Sequence, residues 1–200
     1  MYIRNNRKFL MEILEIKDLE TLAKKRVPKM FFDYVNSGSW TETTYNENVS
    51  DFQKIKLRQR VAIDMSNRTL ETKMINQSVS MPVAIAPTGL TGMQRADGEI
   101  LAAQAAEEFG IPYTLSTMSV CSIEAVAEKT KKPFWFQLYV MKDKKFMERL
   151  IDRAKEAKCS ALVLTLDLQL LGQRHKDLRN GLSTPPKLIP KHIYLSLIHI

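Results

Sequence analysis

Four short apolar runs, separated by stretches with helical periodicity, constrain this chain more than any other feature. They are Pro82-Val83-Ala84-Ile85-Ala86-Pro87, Tyr113 to Thr117, Phe134 to Val140 and Ala161 to Leu166. A strand followed by a helix returns to the same sheet through a right-handed crossover, so the four strands are expected to run parallel. The helical signals between them are consistent with this. Asp97 precedes a helix from Gly98 to Phe109, with Glu99 in its first turn and Gly110 ending it. Ser122 caps Ile123 to Glu128, and Asp143 opens a long helix with the stripe Phe146, Met147, Leu150, Ile151, Ala154 and Ala157. That stripe reads as core. The last run is apolar enough for a strand buried on both faces.

Each run ends in polar residues: Thr88 just after the first, Ser116 in the second, Gln137 with Tyr139 in the third, and Thr165 with Asp167 in the fourth. A doubly wound sheet gathers such residues at one switch point, whereas a barrel draws them from every strand. The pattern therefore predicts an α/β chain holding the N-terminal half, about four β/α units, of a (β/α)8 TIM barrel. Residues 1–80 form an N-terminal helical extension with lead-in strands, 81–193 the half-barrel, and 194–200 a separate tail. In the extension, Ile16 to Arg26 and Lys29 to Asn36 read as helices, the second opened by Pro28 and closed near Gly38. The polar stretch from Trp40 to Val61 is expected to be anchored by Phe52, Ile55 and Leu57, and Val61 to Ser80 to form short antiparallel strands.

Composition narrows the function classes. At 200 residues and 44% hydrophobic, the chain can build a real core. Its net charge of +8 spreads 30 basic residues among 22 acidic ones, without the aromatic or zinc-binding patterns of nucleic-acid readers. A basic face toward an anionic lipid surface or substrate is the better reading. No run approaches the about 18 apolar residues of a membrane span, and the first residues lack a signal-peptide cleavage site. Cys121 and Cys159 match no metal spacing, so a cytoplasmic protein with packed thiols and no metal is expected.

Individual residues admit two readings each. Gln137 lies in an otherwise apolar strand, where an unpaired amide is costly, so contact with a ligand or partner is favoured. Asp167 and Arg174 could pair with each other or serve a site. Tyr34 could be a packing aromatic or a functional one. Thr165 alone is ambiguous, and Met118 fills space as readily as it shapes a pocket.

The ordered set Ala86-Pro87-Thr88-Gly89, Leu115-Ser116-Thr117, Phe136-Gln137-Leu138-Tyr139 and Leu164-Thr165-Leu166-Asp167, followed by Gly172-Gln173-Arg174, resembles the FMN-dependent 2-hydroxy-acid dehydrogenase and oxidase family. The pattern is most similar to its bacterial L-lactate dehydrogenases, from about Ile13 to about His192. The resemblance implies FMN as cofactor, with Ala86 and Pro87 against the isoalloxazine ring and Thr88, Ser116, Gln137 and Thr165 as polar contacts. It implies substrate-binding roles for Tyr34 and Arg174 at the carboxylate and for Tyr139 at the hydroxyl. Tyr139 and Asp167 would carry the catalytic roles, Asp167 by orienting the family's base histidine. The clamp needs such types, because an anionic substrate must be fixed with its C2 facing the flavin.

The resemblance further implies an L-2-hydroxy acid, chiefly L-lactate, as substrate, a quinone or other electron acceptor, homo-oligomers at full length and peripheral contact with the inner face of the cell membrane. The family's base histidine, a flavin-contacting lysine, a second arginine and the phosphate loops belong to the other half-barrel, and His175, His192 and His199 fit no base motif. The chain is therefore expected to be a C-terminally truncated, inactive fragment. Its last residues, Tyr194 to Ile200, depart from the family and are expected to be non-native. Rival readings are a glycolate or other 2-hydroxy-acid oxidase, a different FMN barrel such as a type 2 isopentenyl diphosphate isomerase, and a non-catalytic half-barrel acting as an interaction module.

Overall fold

A computed structural model describes residues 12–167 and 170–182, which form two compact units. The expected tail at 194–200 lies outside the described residues.

The smaller unit draws on residues 12–47 and 173–182. Helix α1 (Ile16–Arg26) starts at a capping box, in which Glu15 and Asp18 reach each other's end of the first turn. Its last turn carries Lys24, Lys25 and Arg26, which suit the negative end of the helix dipole. Helix α2 (Lys29–Val35) follows Pro28, as expected, and buries Phe32. Helix α3 (Thr43–Ser50) begins here and runs to the boundary of the larger unit. A short helix, α8 (His175–Asn180), packs on α2 and ends at Gly181 with φ +72°.

The larger unit, residues 48–167 with 170–172, holds the sheet. A hairpin of β1 (Thr72–Met74) and β2 (Gln77–Val79) leads in, turning at Ile75 and Asn76, both with positive φ. Next come a one-turn helix α4 (Thr91–Gln94) and then α5 (Gly98–Phe109), β3 (Thr114–Leu115), α6 (Ile123–Lys129), β4 (Trp135–Tyr139), α7 (Lys144–Glu156) and β5 (Ala161–Thr165). The three strands lie in the order β3-β4-β5 and are parallel throughout, as the crossover rule requires. Helix starts follow the sequence signals: Ser122 Oγ accepts from Ala125 N at 3.1 Å and Asp143 Oδ1 from Phe146 N at 3.0 Å.

The pleat sorts β4 cleanly. Phe134, Phe136 and Leu138 pack with Leu115 of β3 against Ala103, Ala106, Val126 and Leu150 of the helices. Trp135, Gln137 and Tyr139 therefore point to the opposite face. The hairpin reaches the lower end of the sheet, where Gln77 accepts from Trp135 Nε1 and donates to Ser160 Oγ, each at 2.9 Å.

Three expectations need correction. Pro82 to Pro87 is not a full strand; Ile85 alone makes a parallel bridge, to Tyr113, because prolines flank the run and remove ladder donors. The Ala161–Leu166 strand is not buried on both faces, since Leu162 and Leu164 are 47% and 50% exposed on the edge strand. Phe52, Ile55 and Leu57 anchor nothing among the described residues, Leu57 being 94% exposed. The short antiparallel strands expected between Val61 and Ser80 are present as the hairpin of β1 and β2.

Helices α6 and α7 are joined by a two-pronged pair in which Arg153 Nε and Nη2 donate to the Glu124 carboxylate at 2.6 and 2.7 Å. The Arg153 hydrogen bonds pull the Glu124 carboxyl down from 4.5 to about 2. A depressed folded value means that the contribution is present above the unfolded value and is lost as pH falls through the folded one. The pair is half exposed, so its effect is small. The stability gap between the native chain and Glu124→Gln should be full above pH 4.5 and close toward pH about 2 in urea melts. A pH-independent gap would contradict this linkage.

Candidate active site

At the C-terminal ends of the three parallel strands, the side chains on the face away from the helices form a polar row. Gln137 is fully buried at its centre. Its Oε1 accepts from Ser116 Oγ at 3.3 Å and from Thr117 N at 3.2 Å, and its Nε2 donates to Thr165 Oγ1 at 2.7 Å. Ser116 Oγ in turn accepts from Met118 N at 3.1 Å. Three residues singled out separately in the sequence are thus one hydrogen-bonded chain across β3, β4 and β5. The protein itself supplies partners for the Gln137 amide.

Around this row the surface is open. Ala86, Pro87 and Thr88 are exposed just past the Ile85–Tyr113 bridge, Tyr139 is partly exposed at the end of β4, and Asp167 is exposed beyond β5. The loop after Ile85 is held from behind. Leu90 N donates to Met118 O at 3.0 Å, and the buried Glu99 carboxylate accepts from Gly92 N and Val120 N at 3.0 and 2.9 Å. Burial pushes the Glu99 carboxyl up, but these backbone donors outweigh it and hold it below the usual carboxylate range. The sequence reading took Glu99 as a first-turn charge only. Its position in an otherwise apolar helix, GEILAAQAA, was the signal that it faces inward.

The smaller unit carries the other candidates. Arg174 lies over the Tyr34 ring, its Cζ 4.8 Å from the centroid. Its Nη2 donates to Tyr34 O, and to Ser37 Oγ at 2.9 Å, while Nε forms an ion pair with Asp177 Oδ2 at 2.9 Å. Arg174 and Tyr34, 140 residues apart in sequence, are therefore one cluster. Asp177 is half enclosed; burial raises its carboxyl, the Arg174 charge lowers it and Asp33 raises it, for a net upward shift. Asp33 in turn accepts from Asn180 Nδ2 at 2.7 Å. Among the described residues no three His, Cys, Asp or Glu side chains gather as a metal site. Both cysteines are free, and burial raises the Cys159 thiol to about 11, as expected of a packed residue.

Comparison with known proteins finds matches over most of the chain. The family model described as FMN-dependent dehydrogenase matches residues 23–199. An L-lactate dehydrogenase of Acinetobacter baylyi is 46% identical over 189 residues, covering 94% of this chain and 49% of that protein. One from Acinetobacter baumannii is 50% identical over 168 residues, covering 84% and 44%. Among solved structures, a monotopic membrane protein, (S)-mandelate dehydrogenase, superposes with a TM-score of 0.86 at 33% identity, covering 94% of this chain and 50% of that one. The chain spans about half the length of the curated relatives it matches.

The row makes a stability prediction independent of any ligand. Gln137→Leu keeps the volume but leaves Ser116 Oγ, Thr117 N and Thr165 Oγ1 without their partner. It should cost about 1–3 kcal/mol in urea melts. A melt unchanged from the native chain would mean that the row does not hold the strand ends together.

Proposed function

The chain belongs to the FMN-dependent dehydrogenase family, and from that premise we propose that it supplies the flavin face and substrate clamp of an enzyme oxidising an L-2-hydroxy acid, L-lactate above others, to the 2-oxo acid. The observation that carries this reading is the Ser116–Gln137–Thr165 row at the strand ends, flanked by the exposed Ala86-Pro87-Thr88 segment. A planar cofactor with an apolar face and a polar rim matches that set: small and ring side chains to lie against, and hydroxyl and amide groups along one edge. FMN, when bound, supplies the acceptor for a hydride equivalent. The residues that would hold it are Ala86, Pro87, Thr88, Ser116, Gln137 and Thr165.

The remaining candidates handle the substrate. Arg174 offers a guanidinium to the carboxylate, with Tyr34 beside it. Tyr139 is assigned to the substrate hydroxyl. Asp167 orients and charge-balances a base that this chain does not contain in recognisable form. Residues 81–193 would then be the first half of an FMN-binding (β/α)8 barrel, with 1–80 as its extension. The L-lactate dehydrogenases that this chain matches at 46 and 50% identity favour lactate over other 2-hydroxy acids. Attachment to the cytoplasmic membrane face accords with a monotopic neighbour, and no described helix is long and apolar enough to cross a membrane; a quinone or similar acceptor and homo-oligomers follow from the family resemblance alone.

The test is a hybrid in which residues 1–192 of this chain replace the matching half of the Acinetobacter baylyi protein. It should purify with bound flavin and reduce an artificial acceptor with L-lactate. A folded hybrid that lacks flavin would overturn the reading and favour a non-catalytic module. In the active hybrid, Arg174→Lys should raise the KM for lactate about tenfold or more while flavin content stays the same, because a single ammonium loses the planar two-pronged grip. Unchanged kinetics would remove Arg174 from the clamp.

A further inference from the structure

Strand β3 has only two residues in the ladder, yet its partner β4 runs on to Tyr139. The register Leu115↔Phe136 fixes what a continued parallel ladder would require. Thr117 N–H would donate to Gln137 C=O, and Thr117 C=O would accept from Tyr139 N–H. Neither backbone bond is the one formed. Instead the Thr117 hydroxyl takes both places: Oγ1 donates to Gln137 O and accepts from Tyr139 N at 3.3 Å. Thr117 N–H, released from the ladder, donates to Gln137 Oε1 at 3.2 Å.

We propose that Thr117 is a positioning residue for the reaction: its hydroxyl replaces the last rung between β3 and β4, and so sets the Tyr139 backbone and frees an amide to fix the Gln137 side chain. The inference rests on the roles proposed above for Tyr139 and Gln137, but the geometry stands without them. One hydroxyl has one proton to give and lone pairs to accept with, so it can serve a carbonyl and an amide together. A methyl group in its place serves neither. Both backbone groups are then left without their partner where the strand ends, and an unmet group there costs more than a met one gains. Tyr139 is the last residue of β4, still in register with Thr165 of β5, and the Thr117 hydroxyl is what holds its N–H on the β3 side. Threonine also keeps the β-branched shape that a strand end packs well. Valine preserves that shape without the hydroxyl, and serine preserves the hydroxyl without the methyl.

Backbone amide exchange in this chain, read at single residues, is the direct test. Thr117→Val should speed exchange of the Tyr139 amide about tenfold, while Gln137 N–H, one rung lower, stays within about twofold. Thr117→Ser should match the native chain at both positions. A Tyr139 amide as protected in the valine variant as in the native chain overturns the proposal. So does a serine variant that exchanges like valine, even if the valine variant folds poorly. In the hybrid enzyme, Thr117→Val should lower kcat for lactate about tenfold with KM and flavin content little changed, and serine should restore it. Faster exchange with unchanged kcat would leave Thr117 a strand-end bond only, which also overturns the positioning role. A native hybrid without lactate activity would count against the function reading alone, since the exchange result needs no substrate.

Discussion

A buried primary amide governs the strand ends of this protein. Gln137 has no exposure, and an amide in that position must be given partners or it destabilises the sheet around it. Ser116 and Thr117 from one side and Thr165 from the other provide them. This arrangement demands correct register in three strands at once. A one-residue slip of β4 would turn Phe136 and Leu138 away from the helices and drive Gln137 into them. The apolar face and the polar row are therefore enforced by the same alternation, and neither can be changed without the other.

The smaller unit solves a different problem. A free arginine loses rotamer freedom when it grips an anion, which subtracts from affinity. Arg174 has lost that freedom already, because a backbone carbonyl, the Ser37 hydroxyl, Asp177 and the Tyr34 ring hold it from four sides. Asp177 balances its charge in a half-enclosed setting, so the guanidinium does not depend on a ligand to be tolerated there. The orientation of the guanidinium is therefore fixed by its own unit.

The helices, their caps and the order of the strands were legible in the sequence because they are local. Gly110, Ser122 and Asp143 mark their helices with residues adjacent to the events they control, whereas Asp97, expected to cap its helix, sits at φ +57° and makes no side-chain cap bond. The polar strand ends were also visible one at a time. Their mutual bonding was not, since Ser116, Gln137 and Thr165 meet only through a register that no local signal encodes. The same holds for Arg174 and Tyr34. Phe52, Ile55 and Leu57 failed as anchors for a related reason: an apolar side chain shows that burial would be favourable but does not name the surface that provides it.

Leu162 and Leu164 carry that reasoning furthest. Paired with Phe136 and Leu138, they face the helix side of the sheet, yet they remain about half exposed among the described residues. Parallel strands with apolar residues on both faces are found where both faces are covered. The curated relatives are about twice as long as this chain. The outer strand matters to the site, because β5 brings Thr165 to the Gln137 amide. Whatever seals Leu162 and Leu164 therefore also steadies the third member of the polar row, which links closure of the fold to order at the strand ends.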